Sequence, residues 1–226
     1  MHSLLKSTGT VVLLSLLANS QAAETAAVKT TLPRFDHVLI VIMENEDQER
    51  IIGNPAAPYI NSLARAGANF TDAHAVAHPS QPNYLALFSG STQGVTDNSC
   101  PLAFTGKANL ASQLVAAGLT FTGFSEDLPA PGYTGCAAGE YRRKHNPWVN
   151  FDNVDSGSNQ PFAAFPSGNF AALPTVSVVV PNMCNDNHDC PTATGDSWLK
   201  AKLDGYVQWA KTHNSLLILT WDEDGS

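Results

Sequence analysis

Val38-Leu39-Ile40-Val41-Ile42-Met43 is an unbroken apolar run, mostly β-branched, that stops at Glu44-Asn45-Glu46-Asp47. It is too short for a helix and shows no polar alternation, so it predicts a strand buried on both faces. Strands of that kind belong to parallel sheets covered by helices on both sides. The flanking sequence fits. Leu119 to Phe124, Thr175 to Val180 and Ser215 to Trp221 read as further strands, with Phe70 to Ala75 as a short one. Pro58 to Ala66 reads as a helix closed by Gly67, and Lys107 to Ala117 as one closed by Gly118. A third helix, capped by Asp196, runs to about Lys211 with Trp198, Leu199, Val207 and Ala210 as its apolar positions. Residues 128–171 are rich in Pro, Gly and Asn and read as a long surface excursion. The expected fold is α/β, with a mainly parallel central sheet and helices on both faces.

In such sheets ligands bind outside the carboxyl ends of the strands. Three strand ends carry Glu44-Asn45, Pro181-Asn182 and Asp222-Glu223 to that edge. A lone acidic pair after a strand is usually a solvated turn; three at one rim call for a role. Glu44, Asn45 and Asp222 offer hard oxygen ligands suited to a divalent cation such as Mg²⁺, Ca²⁺ or Mn²⁺. His78-Pro79-Ser80-Gln81-Pro82-Asn83-Tyr84-Leu85-Ala86-Leu87-Phe88-Ser89-Gly90 reads as a helix with Ser80 at the N-cap and Gly90 as its stop. Tyr84, Leu87 and Phe88 form its apolar face. A serine there meets unpaired N–H groups and the positive end of the helix dipole, which suit an anion or an alkoxide. The alternative is an ordinary capping serine on a core helix.

The chain has 226 residues and a formal net charge of -8, which argues against a nucleic-acid surface. Lys6, the apolar run Val11 to Leu17 and Ser20-Gln21-Ala22-Ala23 predict a secretory signal over residues 1–23, followed by a polar leader over 24–35 and one domain over 36–226. The apolar run is too short to span a bilayer, so the reading is a secreted or periplasmic protein without stable membrane insertion. Four cysteines in an exported chain predict two disulfides. Cys184 and Cys190 are close and bracket a polar loop, which favours that pair and leaves Cys100 with Cys136. A zinc site is the alternative, but the spacings match no zinc motif.

The segment Ala57 through Ala73 resembles the part of the alkaline phosphatase superfamily that precedes the nucleophile. Four blocks resemble more closely the bacterial and fungal phosphoesterase family of acid phosphatases and phospholipases C: Val41 to Asn45, His78 to Gly90, Pro181 to Cys190 and Leu219 to Asp224, with Lys144-His145-Asn146-Pro147 as a weaker fifth. They occur in the family's order, and the acid-phosphatase side fits better. The resemblance implies that Ser80 is a nucleophile phosphorylated during turnover, with Glu44, Asn45 and Asp222 holding a metal ion and Glu223 a further candidate ligand. It implies that His145 and His188 face the phosphate, binding it or protonating the leaving oxygen. Asn83 and His78 would contact the small phosphate-ester substrate, with Asp186 an alternative to His188; His37, His74 and His213 are left as structural or surface residues. The superfamily usually continues with more strands and a further histidine, so the domain is expected to be C-terminally incomplete at Ser226. Competing functions are a phosphodiesterase or phospholipase C of the same family, and a non-catalytic exported metal-binding module. A serine esterase is disfavoured because no G-x-S-x-G elbow occurs.

Overall fold

The computed structural model describes residues 33–225. The predicted signal, residues 1–23, and most of the polar leader lie outside the described residues. The apolar run around Leu39 forms β1 (His37–Met43), flanked by β6 (Val176–Val180) on one side and β7 (Ser215–Trp221) on the other. Beyond β6 come β2 (Phe121–Ser125) and the short β5 (Asn159–Pro161), and every pairing in this five-stranded sheet is parallel. Alternate residues of β1 feed two cores. Leu39, Val41 and Met43 pack on one face with α2 (Pro58–Ala66) and α5 (Thr192–Ala210), through Ile60, Leu199, Leu203 and Tyr206. Ile42 packs on the other with α3 (Ser80–Ser89) and α4 (Leu110–Ala116), through Tyr84, Leu85, Phe88 and Ala111. This two-sided burial is why the run carries no polar alternation. A short α1 (Gln48–Ile51) follows β1, and a hairpin of β3 (Ala137–Ala138) and β4 (Tyr141–Arg142) stands apart from the sheet.

Several local expectations are corrected. Residues 70–75 form no strand, with bends at Thr71 and Asp72, and Phe70 is 79% exposed; the whole segment is exposed, so its local β-propensity buries no face. Leu87 points outward and Leu85 takes its place in the core. The helix expected from Lys107 begins after Asn109, which closes a reciprocal capping box with Ser112. The 128–171 excursion is no mere surface loop: it supplies β5 and buries His145, Asn146, Trp148 and Asn150. Gly123 in β2 makes room for it, since a Cβ there would lie 2.2 Å from the Trp148 ring.

Asp196 does not cap its own helix, which starts four residues earlier. It lies buried on α5 and accepts the backbone N–H groups of Tyr59 at 3.2 Å and Ile60 at 2.8 Å. It thereby caps α2 from across the interface, where Ala57 supplies no side-chain cap and Pro58 no donor. Asp196→Ala should cost about 1–3 kcal/mol, the range for losing charge-assisted bonds to buried donors. Urea unfolding should show Asp196→Asn losing less; an alanine variant as stable as the parent would refute the capping role.

Candidate active site

The strand order β6-β1-β7 sets three chain segments side by side at the carboxyl edge of the sheet. β1 ends in Glu44, which is fully buried, and in Asn45, whose φ of 54° lies in the left-handed region that asparagine tolerates. The Glu44 N–H donates to the Asp186 carbonyl at 2.8 Å and the Asp222 N–H to the Met43 carbonyl at 3.0 Å, so the backbone ties the three segments together. After β6, Asn182 organises the next loop instead of facing the site: its Oδ1 accepts from the Cys184 and Asn185 N–H groups, and Glu126 at the end of β2 accepts its own N–H. That loop is closed by a Cys184–Cys190 disulfide and carries Asp186 and His188; Cys100 is bonded to Cys136.

Ser80 is the first residue of α3 and is 1% exposed. The expected N-cap placement shifts by one, because Pro79 occupies the flanking position, and the first-turn N–H of Gln81 is taken by the Asn98 side chain at 3.0 Å and not by Ser80. The Ser80 hydroxyl lies instead between two carboxylates, 3.2 Å from Glu44 Oε2 and 3.0 Å from Glu223 Oε1. Tyr84, one helical turn on, donates its phenol to Glu44 Oε1 and stacks on the His145 ring at 5.0 Å. By sequence alone Tyr84 belongs to the apolar face of this helix. A tyrosine on a core face is a usable signal, because a buried phenol needs a polar partner.

His145 places Nε2 3.1 Å from Glu44 and Nδ1 3.5 Å from Asp186. Glu44, His145 and Asp186 each offer a ligand atom within 4.8 Å of the others. The two His145 contacts fall outside hydrogen-bond geometry, and Asp222 Oδ2 is buried without a hydrogen-bond partner among the described residues. Burial pushes the Glu44 carboxyl up to about 7, against the Tyr84 hydrogen bond and the positive charge of Lys144. Burial pushes Asp222 to about 8, and repulsion from Glu44 adds to it. Asp186 rises to about 6, again by burial, with His145 opposing. Burial also lowers the His145 pKa, against the pull of Asp186. Mutually repelling buried acids, one with an unpartnered oxygen, beside a buried imidazole form a donor set that fits a divalent cation. The histidine extends the oxygen-only set expected from Glu44, Asn45 and Asp222 toward metals that accept nitrogen.

The remaining candidates ring this centre. His188 donates or accepts at both ring nitrogens, 2.7 Å from Asp189 Oδ1 and 3.1 Å from Lys144 Nζ. His78 is half-exposed and lies 2.7 Å from Glu223 Oε2, on the far side of that carboxylate from Ser80. The Asn83 side chain is engaged in holding the preceding loop: it accepts from the Val76 and Ala77 N–H groups, donates to the Ala77 carbonyl and approaches Glu223 at 3.5 Å. An open cleft of about 380 Å³, lined by Asn45, Arg50, His188 and Glu223 among others, leads to the cluster. A larger hollow of about 540 Å³ beside α1 contains none of the cluster residues. His37, His74 and His213 lie elsewhere, on the Pro174 carbonyl, on exposed Asp72 and stacked on Trp209.

A parallel α/β sheet whose carboxyl edge gathers a serine hydroxyl, buried acids and histidines is the framework of a hydrolase that works on an anionic substrate. The chain belongs to the phosphoesterase family, whose sequence profile matches residues 54–226, and it is thereby a hydrolase acting on phosphate esters. It is 54% identical over 217 residues to a phosphatidylinositol-3-phosphatase of Mycobacterium tuberculosis, covering 95% of this chain and 73% of that protein. It is 30% identical to a phosphate-repressible acid phosphatase of Penicillium chrysogenum, covering 90% of this chain and 54% of the relative. Identity to an acid phosphatase of Aspergillus fumigatus is also 30%, over 85% of this chain and 45% of that protein. The chain therefore spans about half the length of these fungal relatives.

Proposed function

We propose that this chain carries an exported, metal-assisted phosphomonoesterase of the acid phosphatase type, with Ser80 as nucleophile and a phosphoserine intermediate. The carrying observation is the Ser80 hydroxyl, which is buried at the start of α3, makes no capping bond and is aimed at Glu44 and Glu223 beside an unpartnered oxygen of Asp222. A serine placed only to cap would spend its oxygen on the N–H groups of its own helix. Glu44, Asp222, Asp186 and His145 would hold the cation, with Asn45 beside them. When bound, the cation favours the serine alkoxide and polarises a phosphoryl oxygen. Glu223, the nearer of the two carboxylates to the hydroxyl, can take its proton as Ser80 attacks phosphorus in line with the leaving oxygen. His188 lines the cleft, where it would face the phosphoryl group. Water then enters along the vacated path and hydrolyses the phosphoserine.

Export is supported by the two disulfides, which fit an oxidising compartment. No helix among the described residues is long and apolar enough to cross a membrane. A second reading rests on the higher identity to the phosphatidylinositol-3-phosphatase: the substrate is a phosphorylated inositol headgroup whose ring hydroxyl is the leaving group, and the chemistry at Ser80 is the same. The test is a denaturing quench during turnover of p-nitrophenyl phosphate, followed by peptide mass spectrometry. Phosphate on the peptide containing Ser80 is expected. A fast-turning enzyme that never carries it would exclude the covalent route.

A further inference from the structure

The run Tyr141-Arg142-Arg143-Lys144-His145 places three cations next to one another, and the fold uses them differently. A single 3-10 turn over Arg143–His145 sends successive side chains about 120° apart. Arg143 is buried and donates to the Asn150 side chain and to the carbonyls of Thr134 and Leu102. Arg142 donates to the carbonyls of Gly139 and Tyr141. Lys144 alone of the three turns to the site. Its Nζ lies 3.1 Å from His188 Nε2, and its charge acts on both Glu44 and His145.

The partner is informative. An ammonium can only donate, so His188 Nε2 accepts and Nδ1 carries the hydrogen toward Asp189 Oδ1 at 2.7 Å. Lys144 forms no ion pair with a carboxylate among the described residues, although its charge reaches Glu44. A neutral imidazole holds it in place without cancelling its charge. Arg50, which also lines the cleft, is by contrast paired with Asp47 at 3.3 Å.

Resting on the phosphomonoesterase reading, we propose that Lys144 is a substrate-binding residue that reads the second negative charge of the phosphoryl group. It thereby makes the site prefer dianionic monoesters to monoanionic diesters. A phosphoryl oxygen entering beside His188 takes over the ammonium, and a charge-assisted hydrogen bond replaces the one to imidazole. A diester has esterified the oxygen that would carry that charge. No bond is made or broken in this step.

Lys144→Gln keeps the length and a donor but removes the charge. It should lower kcat/KM for p-nitrophenyl phosphate by about 10–100-fold, the scale of a charge-assisted hydrogen bond. Loss on bis-p-nitrophenyl phosphate should stay within about threefold, and inhibition by inorganic phosphate should weaken alongside the monoester. Lys144→Arg should recover part of the preference, since the charge returns in another shape. If Lys144 only tethers His188, both substrates lose equally and the inhibition constant for phosphate stays unchanged; that result overturns the proposal. Where diester turnover is too slow to follow, the phosphate inhibition constant decides alone. The two readings fail separately. An active Ser80→Ala variant refutes the serine mechanism, whereas an inactive one combined with an unshifted Lys144→Gln profile refutes only the role of Lys144.

Discussion

Ser80→Ala should lose phosphate-ester hydrolysis by at least ~10³-fold in kcat, the scale on which enzymes lose a covalent nucleophile, while the protein stays folded. The fold is expected to survive because the hydroxyl caps nothing: the first turn of α3 is capped by Asn98 through the Gln81 N–H, and the helix is held by Tyr84, Leu85 and Phe88 in the core. The substitution removes one oxygen from a buried position and leaves the Glu44 and Glu223 oxygens without their hydroxyl donor. With a cation among the acids that loss is small. Circular dichroism and thermal unfolding should therefore overlay the parent while turnover vanishes. Residual activity within tenfold of the parent would mean that another group attacks phosphorus, with water activated directly by the metal the first candidate.

The second large effect is that of metal removal, and it depends on pH. A chelator should abolish activity, and a divalent cation should restore it. Stability should follow with a definite sign. The folded-state pKa values of Glu44, about 7, and Asp222, about 8, lie above their ordinary values of 4.5 and 3.8. The metal-free folded state thus holds protons that the unfolded chain gives up, and its stability falls as pH rises through that window. His145 is held below its ordinary 6.5 by burial and works in the opposite direction under that pH, so the acids dominate between pH 6.5 and 8. Chelated protein should lose several degrees of Tm across this interval, at about 2–4 °C per kcal/mol for a chain of this size. Metal-loaded protein should not, because the cation replaces the protons as the neutralising charge. A chelated protein whose Tm is flat or rising over the interval would show that these acids are not the coupled, cation-free cluster described above.

Much of this fold is legible from residues that solve one local problem. A β-branched run with no polar alternation has nowhere to go but between two helical layers, and β1 is there. The acids after β1 and β7 are legible for the same reason, since a parallel strand delivers its last residues to the sheet edge. What stayed hidden depends on partners distant in sequence. Asp196 looks like a cap for the helix that contains it; only the packing of α5 on α2 shows that it caps the other. His145 is named by the family resemblance, but its burial, and that of Asn146, shows only once the 128–171 segment folds onto α3. Asn83 and Asn182, polar and adjacent to the site, are engaged in holding backbone, a use no spacing announces. Lys144 could be singled out only after its neighbouring arginines were seen to be spent on carbonyls.

The strand order also has a consequence in time. β1 is made early, yet its hydrogen-bonding partners are β6 and β7: Val38 pairs with Val176 and with Leu216. A chain emerging from the ribosome or from a translocation pore therefore carries its most apolar strand unpaired until nearly all the described residues have followed. Loop closure over that span makes folding slow, and it gives chaperones a long interval in which to hold the strand. Glu44 meets Asp222 only at the end of that interval. A nascent chain thus carries its serine already synthesised while the cluster of acids that surrounds it is still in pieces, and the site can form only once β7 has docked on β1.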